Sequence, residues 1–458
     1  MGLKDRIVAH WSRLLGKGGE GQLLRPAALN WPLVNHHPQK RRDRGVFPRF
    51  RSATLGDSGG RSESSALAQA RVALRSVFTP AQPVTDRRLF AGRIKPLSQL
   101  IEIIEDRLSH VVIFGERGIG KTSLLHILSD LAEESRYVVL HGTCGAGSRF
   151  DEMFRRLLEG IPLLYLKNVS PTGSEVESGA SFASHLPSGP FDARELSDLL
   201  SQIAGIRVLI ILDEYDRLEN EQFRQYTAEL VKNLSDRAAP VQLVIAGVSS
   251  NLHELIGYIP SIRRNIIGLP LPHLSFEETE ALVAFGKTAA GVTFDPECVR
   301  MIHSLSNGSP YVARLICHHS SGLAMDGGRT NVVLADIVAS LERMVEEAEG
   351  RLAHGPAQRV RRLEIGDGAA LLGAIARVAS TPDGWFSRSE LVEGIGSGDD
   401  ATAAIAMVEK TLIPAGLIET GVDDPEPRFR FIDEGLPNYL WLMVARNQIG
   451  TGAIRSAA

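Results

Sequence analysis

Gly115-Glu116-Arg117-Gly118-Ile119-Gly120-Lys121-Thr122 is a complete G-x-x-x-x-G-K-[ST] phosphate loop, and its reading decides the fold of this chain. The apolar run Val111-Val112-Ile113-Phe114 precedes it as a buried strand. Leu124-Leu125-His126-Ile127-Leu128 follows it with a helical pattern. Strand, loop and helix in that order are the context the motif requires. Glycines let consecutive backbone N–H groups turn inward on phosphate oxygens, and the helix N-terminus adds a partial positive charge. Gly115 through Thr122, with Ser123, are therefore the expected phosphate-binding residues. Lys121 is expected on the β- and γ-phosphates, and the Thr122 hydroxyl on Mg²⁺.

The second half of such a site needs carboxylates at the end of another buried strand. Arg207-Val208-Leu209-Ile210-Ile211-Leu212-Asp213-Glu214 supplies them. An unbroken aliphatic run of this kind is a strand covered on both faces, as in a parallel sheet. Asp213 is expected to hold the metal's hydration shell, and Glu214 to orient or deprotonate the attacking water. The Asn-Lys-x-Asp run that recognises guanine occurs nowhere in the chain, so ATP is the expected nucleotide.

The 458 residues suit two or three domains. Hydrophobic residues make up 43% and charged residues 23%, which is ordinary for a globular protein. No stretch approaches the ~18–20 apolar residues of a membrane-spanning helix. The opening Met1-Gly2-Leu3-Lys4-Asp5-Arg6 leads into an amphipathic segment rather than a signal peptide, so a cytoplasmic protein is expected. Cys144, Cys298 and Cys317 are too few and too scattered for a disulfide framework or a zinc site.

The net charge of −4 is unevenly spread, because residues 1–62 hold 12 Lys/Arg against 4 Asp/Glu. Lys40-Arg41-Arg42-Asp43-Arg44, Arg49 and Arg51, with Phe47 and Phe50 between them, read either as an arm for nucleic acid or an acidic partner, or as a solvated leader. Residues 3–15 are expected to form an amphipathic helix that packs within the chain, docks on a partner or lies on a membrane surface, the first two preferred. A helix near 65–77 and the stiff run Phe78-Thr79-Pro80-Ala81-Gln82-Pro83 close an N-terminal segment, 1–83. The expected core, 84–271, has strands at 111–114, 137–141, 207–213, 241–246 and 265–269, with alternating helices that cover both faces of a parallel sheet. Residues 167–190 read as a surface insertion. Ser275-Phe276-Glu277-Glu278 is a capping box opening a helical lid, 272–352, with helices at 276–287, 296–306, 310–325 and 334–349. Adjacent histidines, His36-His37 and His318-His319, read as structural or solvated residues rather than ligands.

Taken together, Leu89-Phe90-Ala91-Gly92-Arg93, the phosphate loop, Asp213-Glu214-Tyr215-Asp216-Arg217 and Gly247-Val248-Ser249-Ser250-Asn251 resemble an AAA+ ATPase. The branches it is most similar to are the origin-recognition-like ATPases and the signal-transducing STAND NTPases. The resemblance implies an ATP-binding and ATP-hydrolysing regulatory protein that changes conformation or assembly state with its nucleotide. It implies Phe90 and Arg93 against the base, and a polar residue after the fourth strand sensing the γ-phosphate, with Ser250 the candidate and Ser249 beside it. Arg263 and Arg264, ahead of the last core strand, stand where such proteins place an arginine finger acting between subunits of a homo-oligomer. Pro310 matches a Gly-x-Pro element near the adenine, with Arg314 the alternative to a lid arginine at Tyr311.

The rest of the chain, 353–458, resembles a winged-helix domain. Helices are expected at 369–379, 388–394 and 401–411, a hairpin at 417–420 and 428–431, and a further helix at 440–447. The third helix presents few side chains able to read base edges, and from Arg361 onward there are 9 Lys/Arg against 14 Asp/Glu. A protein partner is therefore expected. DNA association through the basic arm or the winged helix is the alternative. A small-molecule kinase is disfavoured, since no acceptor pocket is marked beyond the shared nucleotide site.

Overall fold

Strand β1 (His110–Gly115) is the axis of a five-stranded parallel sheet. It lies between β4 (Val241–Val248) and β5 (Ile266–Pro270), and the full order is β2-β3-β4-β1-β5, with β2 at Val138–Thr143 and β3 at Val208–Asp213. The register pairs Val111 with Val244, His110 with Ile266, and Val208 with both Val241 and Val138. This computed structural model describes residues 65–80, 82–168, 179–249, 252, 262, 264–363, 368–381, 384–396, 398–421 and 426–450. The helix expected at 3–15, the arm at 40–51, His36-His37, Ser250 and Arg263 lie outside them.

Aliphatic runs in the strands serve two cores at once, because successive side chains leave opposite faces of the sheet. Val112, Val208, Ile210, Leu212, Leu243 and Ile245 enter one core, with Phe154, Leu196 and Phe223 from helices α4 (Phe150–Leu158), α5 (Ala193–Leu200) and α6 (Glu221–Asp236). Val111, Ile113, Leu209, Ile211 and Val244 enter the other, with Leu100, Leu124 and Ile127 from α2 (Ile94–Glu105) and α3 (Lys121–Glu134). The result is a P-loop NTPase sheet covered on both faces.

The lid follows β5. Its helices are α7 (Phe276–Ala290), α8 (Pro296–Ser306), α9 (Pro310–Asp326) and α10 (Leu334–Arg351), with a parallel pair β6 (Thr293–Phe294) and β7 (Asn331–Val332) between them. Ser275 and Glu278 form the reciprocal capping box that starts α7. Helix α1 (Ser65–Val77) also belongs here. Its Leu74 and Val77, with Phe78, are buried among lid side chains, and the Phe78 ring meets Phe294 edge-on at 6.1 Å. Gly286 makes room for that ring, since a Cβ there would stand 3.1 Å from it.

Beyond the lid come α11 (His354–Arg362), α12 (Ala369–Val378), β8 (Trp385–Ser387), α13 (Arg388–Ile395) and α14 (Asp399–Met407). They are followed by β9 (Ile418–Gly421), β10 (Arg428–Phe431) and α15 (Leu436–Gly450). The strands form an antiparallel sheet in the order β8-β10-β9, so Trp385-Phe386-Ser387 is a third strand beside the expected hairpin. Helix α14 does not run on to 411 as an α-helix, but widens into a π turn over Val408–Leu412. The Phe386 and Phe429 side chains, with Leu372 and Leu440, join the same apolar cluster as Leu305 and Ile316 of the lid. The Trp441 indole donates to the Leu305 carbonyl at 2.8 Å across that junction.

Residues 179–190 are less superficial than a surface insertion. Phe182 is fully buried, and its N–H donates to the Ile161 carbonyl at 3.0 Å. No helix among the described residues is long and apolar enough to cross a membrane.

Phe78 tests how far α1 belongs to the lid. Phe78→Ala removes a fully buried ring and is expected to cost ~3–5 kcal/mol, read as a lower thermal and denaturant midpoint. An unchanged transition would mean that α1 is dispensable to the lid core.

Candidate functional site

The loop between β1 and α3 turns three times through backbone that glycine alone adopts freely, with φ of +150° at Gly115, +78° at Gly118 and +100° at Gly120. Gly118 also faces Tyr311, whose Cβ would lie 3.1 Å from an added methyl. Gly120 is the N-cap of the fourteen-residue α3 and supplies no side chain, so the first N–H groups of the helix stay open toward an anion.

Lys121 is only 9% exposed, and its Nζ donates to the carbonyls of Gly115 and Glu116, both at 2.8 Å. Burial pulls its ammonium down to about 8, against the opposing charges of Asp216 and Asp213. The Thr122 hydroxyl donates to Asp213 Oδ2 at 2.8 Å, while Asp213 Oδ1 accepts the Glu214 N–H at 2.8 Å. A hydroxyl beside a buried carboxylate is a hard-oxygen pair, and it fits the donor set Mg²⁺ takes beside phosphate. Glu214 itself sits in left-handed backbone, φ +54°, and its carboxylate pairs with Arg217 at 3.1 Å.

These groups open on one cavity of about 390 Å³. Lys121, Thr122, Asp213 and Glu214 give it polar lining, and Phe90, Ala91, Leu282 and Pro310 apolar lining. Arg93 is 3% exposed and also lines it. One guanidinium nitrogen donates to the Ile119 carbonyl at 3.0 Å, while Nε and Nη1 have no hydrogen-bond partner among the described residues. Arg314 reaches the same cavity from α9 and donates to the Leu89 carbonyl at 3.1 Å. Burial lowers the pKa of both guanidinium groups. Ser123 also lines the cavity, and its hydroxyl accepts the Val84 N–H at 3.0 Å.

Arg117 lines the cavity mouth as an exposed side chain and pairs with Glu434, just before α15. Other expected residues fall elsewhere. The Glu116 side chain meets His273 rather than the cavity. Arg264 is exposed just ahead of β5, and Ser249 is buried at the end of β4.

Sequence reading assigned no site role to several residues that the structure brings to the cavity or beside it. Pro80, Gln82 and Pro83 belong to the apparent linker yet line the cavity. Asp216 and Arg217 also line it, and the Asp216 carboxylate accepts the Val248 N–H at 2.8 Å, tying the turn after β3 to the end of β4. Their signal lay in the Asp-Glu-Tyr-Asp-Arg run itself. His273 carried no signal at all.

Residues 105–256 match the family model described as AAA domain. A search of the curated proteins finds no match. Among solved structures, the chain is similar to the ORC1 protein of Aeropyrum pernix in complex with DNA, at 16% identity and TM-score 0.40, over 80% of this chain and 95% of that one. It is likewise similar to a Walker-type ATPase of Pyrococcus abyssi, at 17% identity and TM-score 0.45, over 79% and 98%. The ORC2 protein of Aeropyrum pernix gives 18% identity and TM-score 0.43 over 84% and 99%.

Lys121→Ala should weaken ATP binding roughly tenfold to a hundredfold, the worth of a buried charged hydrogen bond to phosphate. Titration with a fluorescent ATP analogue measures it, and unchanged affinity would remove the loop from the site.

Proposed function

We propose that this chain is an ATP-binding and ATP-hydrolysing regulatory ATPase of the AAA+ type, cytoplasmic, which changes conformation or assembly state with its nucleotide and acts on a protein partner. One observation carries this reading: residues of the phosphate loop, of the strand-end carboxylates and of the lid all line a single cavity. A nucleotide bound there touches core and lid together, so its γ-phosphate biases their relative arrangement.

In the reaction, Lys121 leaves the Gly115 and Glu116 carbonyls to meet the β- and γ-phosphates. Thr122 and Asp213 would hold Mg²⁺, which neutralises charge on the phosphate oxygens. Glu214 orients the attacking water and takes its proton, with Arg217 holding the carboxylate until ATP arrives. Ser250 or Ser249 aligns that water from the end of β4. Phe90, Arg93 and Pro310 receive the base. Arg263 or Arg264 of a neighbouring subunit supplies a cation to the transferring phosphoryl group.

The unit 353–458 would be a winged helix serving protein contact, since its charge balance is acidic. The alternative is a DNA-associated ATPase using the basic segment 1–62. Salt-sensitive duplex binding lost on deleting that segment would favour it.

Glu214→Gln should keep ATP affinity within about twofold and lower turnover about 10²–10⁴-fold, measured as phosphate release beside equilibrium binding. Undiminished hydrolysis would remove Glu214 from its role. If an arginine acts between subunits, the specific rate should rise with protein concentration, and Arg264→Ala or Arg263→Ala should abolish that rise.

A further inference from the structure

His273 stands where the chain leaves the sheet for the lid, and it bridges the phosphate loop and the turn that opens α9. Its Nε2 lies 2.8 Å from Glu116 Oε1 in the phosphate loop, and its Nδ1 meets the Asn307 carbonyl. Both partners are acceptors: a carboxylate and a backbone carbonyl. A neutral imidazole has one N–H and satisfies only one of them, whereas the imidazolium donates to both.

Each contact leads into the cavity. Glu116 is the residue whose carbonyl holds Lys121. Asn307 begins the turn Asn307-Gly308-Ser309 that places Pro310, Tyr311 and Arg314 on the cavity wall. That turn is pressed onto the junction, since a Cβ on Gly308 would stand 2.6 Å from the Leu274 carbonyl oxygen. The charged groups acting on His273 are Glu116 from the loop, which favours the cation, and Arg93 from the turn before α2, which opposes it.

We propose that His273, as an imidazolium, is a positioning residue that fastens the start of α9 to the phosphate loop and so makes nucleotide affinity fall as pH rises through the neutral range. The proposal rests on the nucleotide reading of the cavity. The Glu116 hydrogen bond raises the histidine above its ordinary value of 6.5, against a smaller opposing effect of burial. The sign follows. The tie is fully made below 6.5 and is lost as pH climbs through the raised value.

The test titrates a fluorescent ADP analogue with Mg²⁺ into full-length wild type, His273→Gln, Glu116→Gln and His273→Lys, from about pH 6 to about pH 9. Lys121 titrates in all four proteins, so the ratio of variant to wild-type dissociation constant isolates the histidine. His273→Gln should bind roughly fivefold more weakly at the acid end, a magnitude suited to a partly exposed ion pair, and the ratio should fall to one at the alkaline end. Glu116→Gln should give the same convergence, and it leaves the junction itself untouched. His273→Lys should hold the acid-end affinity across the range. A ratio that does not change with pH, at one or at any other value, overturns the proposal. Wild type that binds no nucleotide at any pH overturns the nucleotide reading and the proposal with it.

Discussion

The hydrogen bond between Thr122 and Asp213 joins residues 91 positions apart, and it exists only because of the strand order. β1 and β3 are not neighbours; β4 runs between them, parallel to both. Their C-terminal ends therefore present the phosphate loop and the carboxylates at one edge of the sheet with a third strand end interposed. That interposed end is Val248 and Ser249, fixed by the Asp216 carboxylate. The end of β4, at Gly247 and Val248, thus lines the same cavity as Lys121 and Glu214. The geometry of the cavity is a property of the sheet before it is a property of any one side chain.

A second constraint comes from the apolar core that runs unbroken from α1 through the lid to α15. Elements that share one close-packed interior do not slide independently, because each displacement opens voids or forces off-rotamer side chains. The Trp441–Leu305 hydrogen bond pins the same junction with a polar contact. Lid and C-terminal unit accordingly meet the phosphate loop as one body. They touch it through Tyr311 against Gly118, and through Glu434 with Arg117. The exposed Arg117–Glu434 pair contributes at most about 1 kcal/mol. Close packing around the loop, rather than that ion pair, sets where the body rests.

What was legible in the sequence was what a contiguous run encodes. The glycines of the phosphate loop announce positive φ, and 207–213 announces a strand buried on both faces. Ser275 and Glu278 announce a helix start within one turn. Relations between distant segments were not legible. Pro80 and Pro83 read as a stiff spacer because proline fixes φ, yet where a spacer lies is decided by the burial of Phe78, a tertiary fact. Trp385-Phe386-Ser387 is too short to show strand periodicity, and its pairing with β10 comes from a partner more than forty residues away. His273 is an ordinary loop histidine until Glu116 is brought 2.8 Å from it.

Arg93 is the costliest side chain on the cavity wall. A guanidinium 3% exposed, with Nε and Nη1 lacking hydrogen-bond partners among the described residues, has lost its hydration without full replacement. The charge of Glu278 opposes that cost only across space, with no hydrogen bond between them. Uncompensated burial of a cation costs several kcal/mol, and Arg314 adds a second buried guanidinium on the lid side. Arg93 comes from the turn before α2 and Arg314 from α9, so the cavity takes one guanidinium from the core and one from the lid. A ligand meeting both guanidinium groups would, by linkage, favour the arrangement in which core and lid are together.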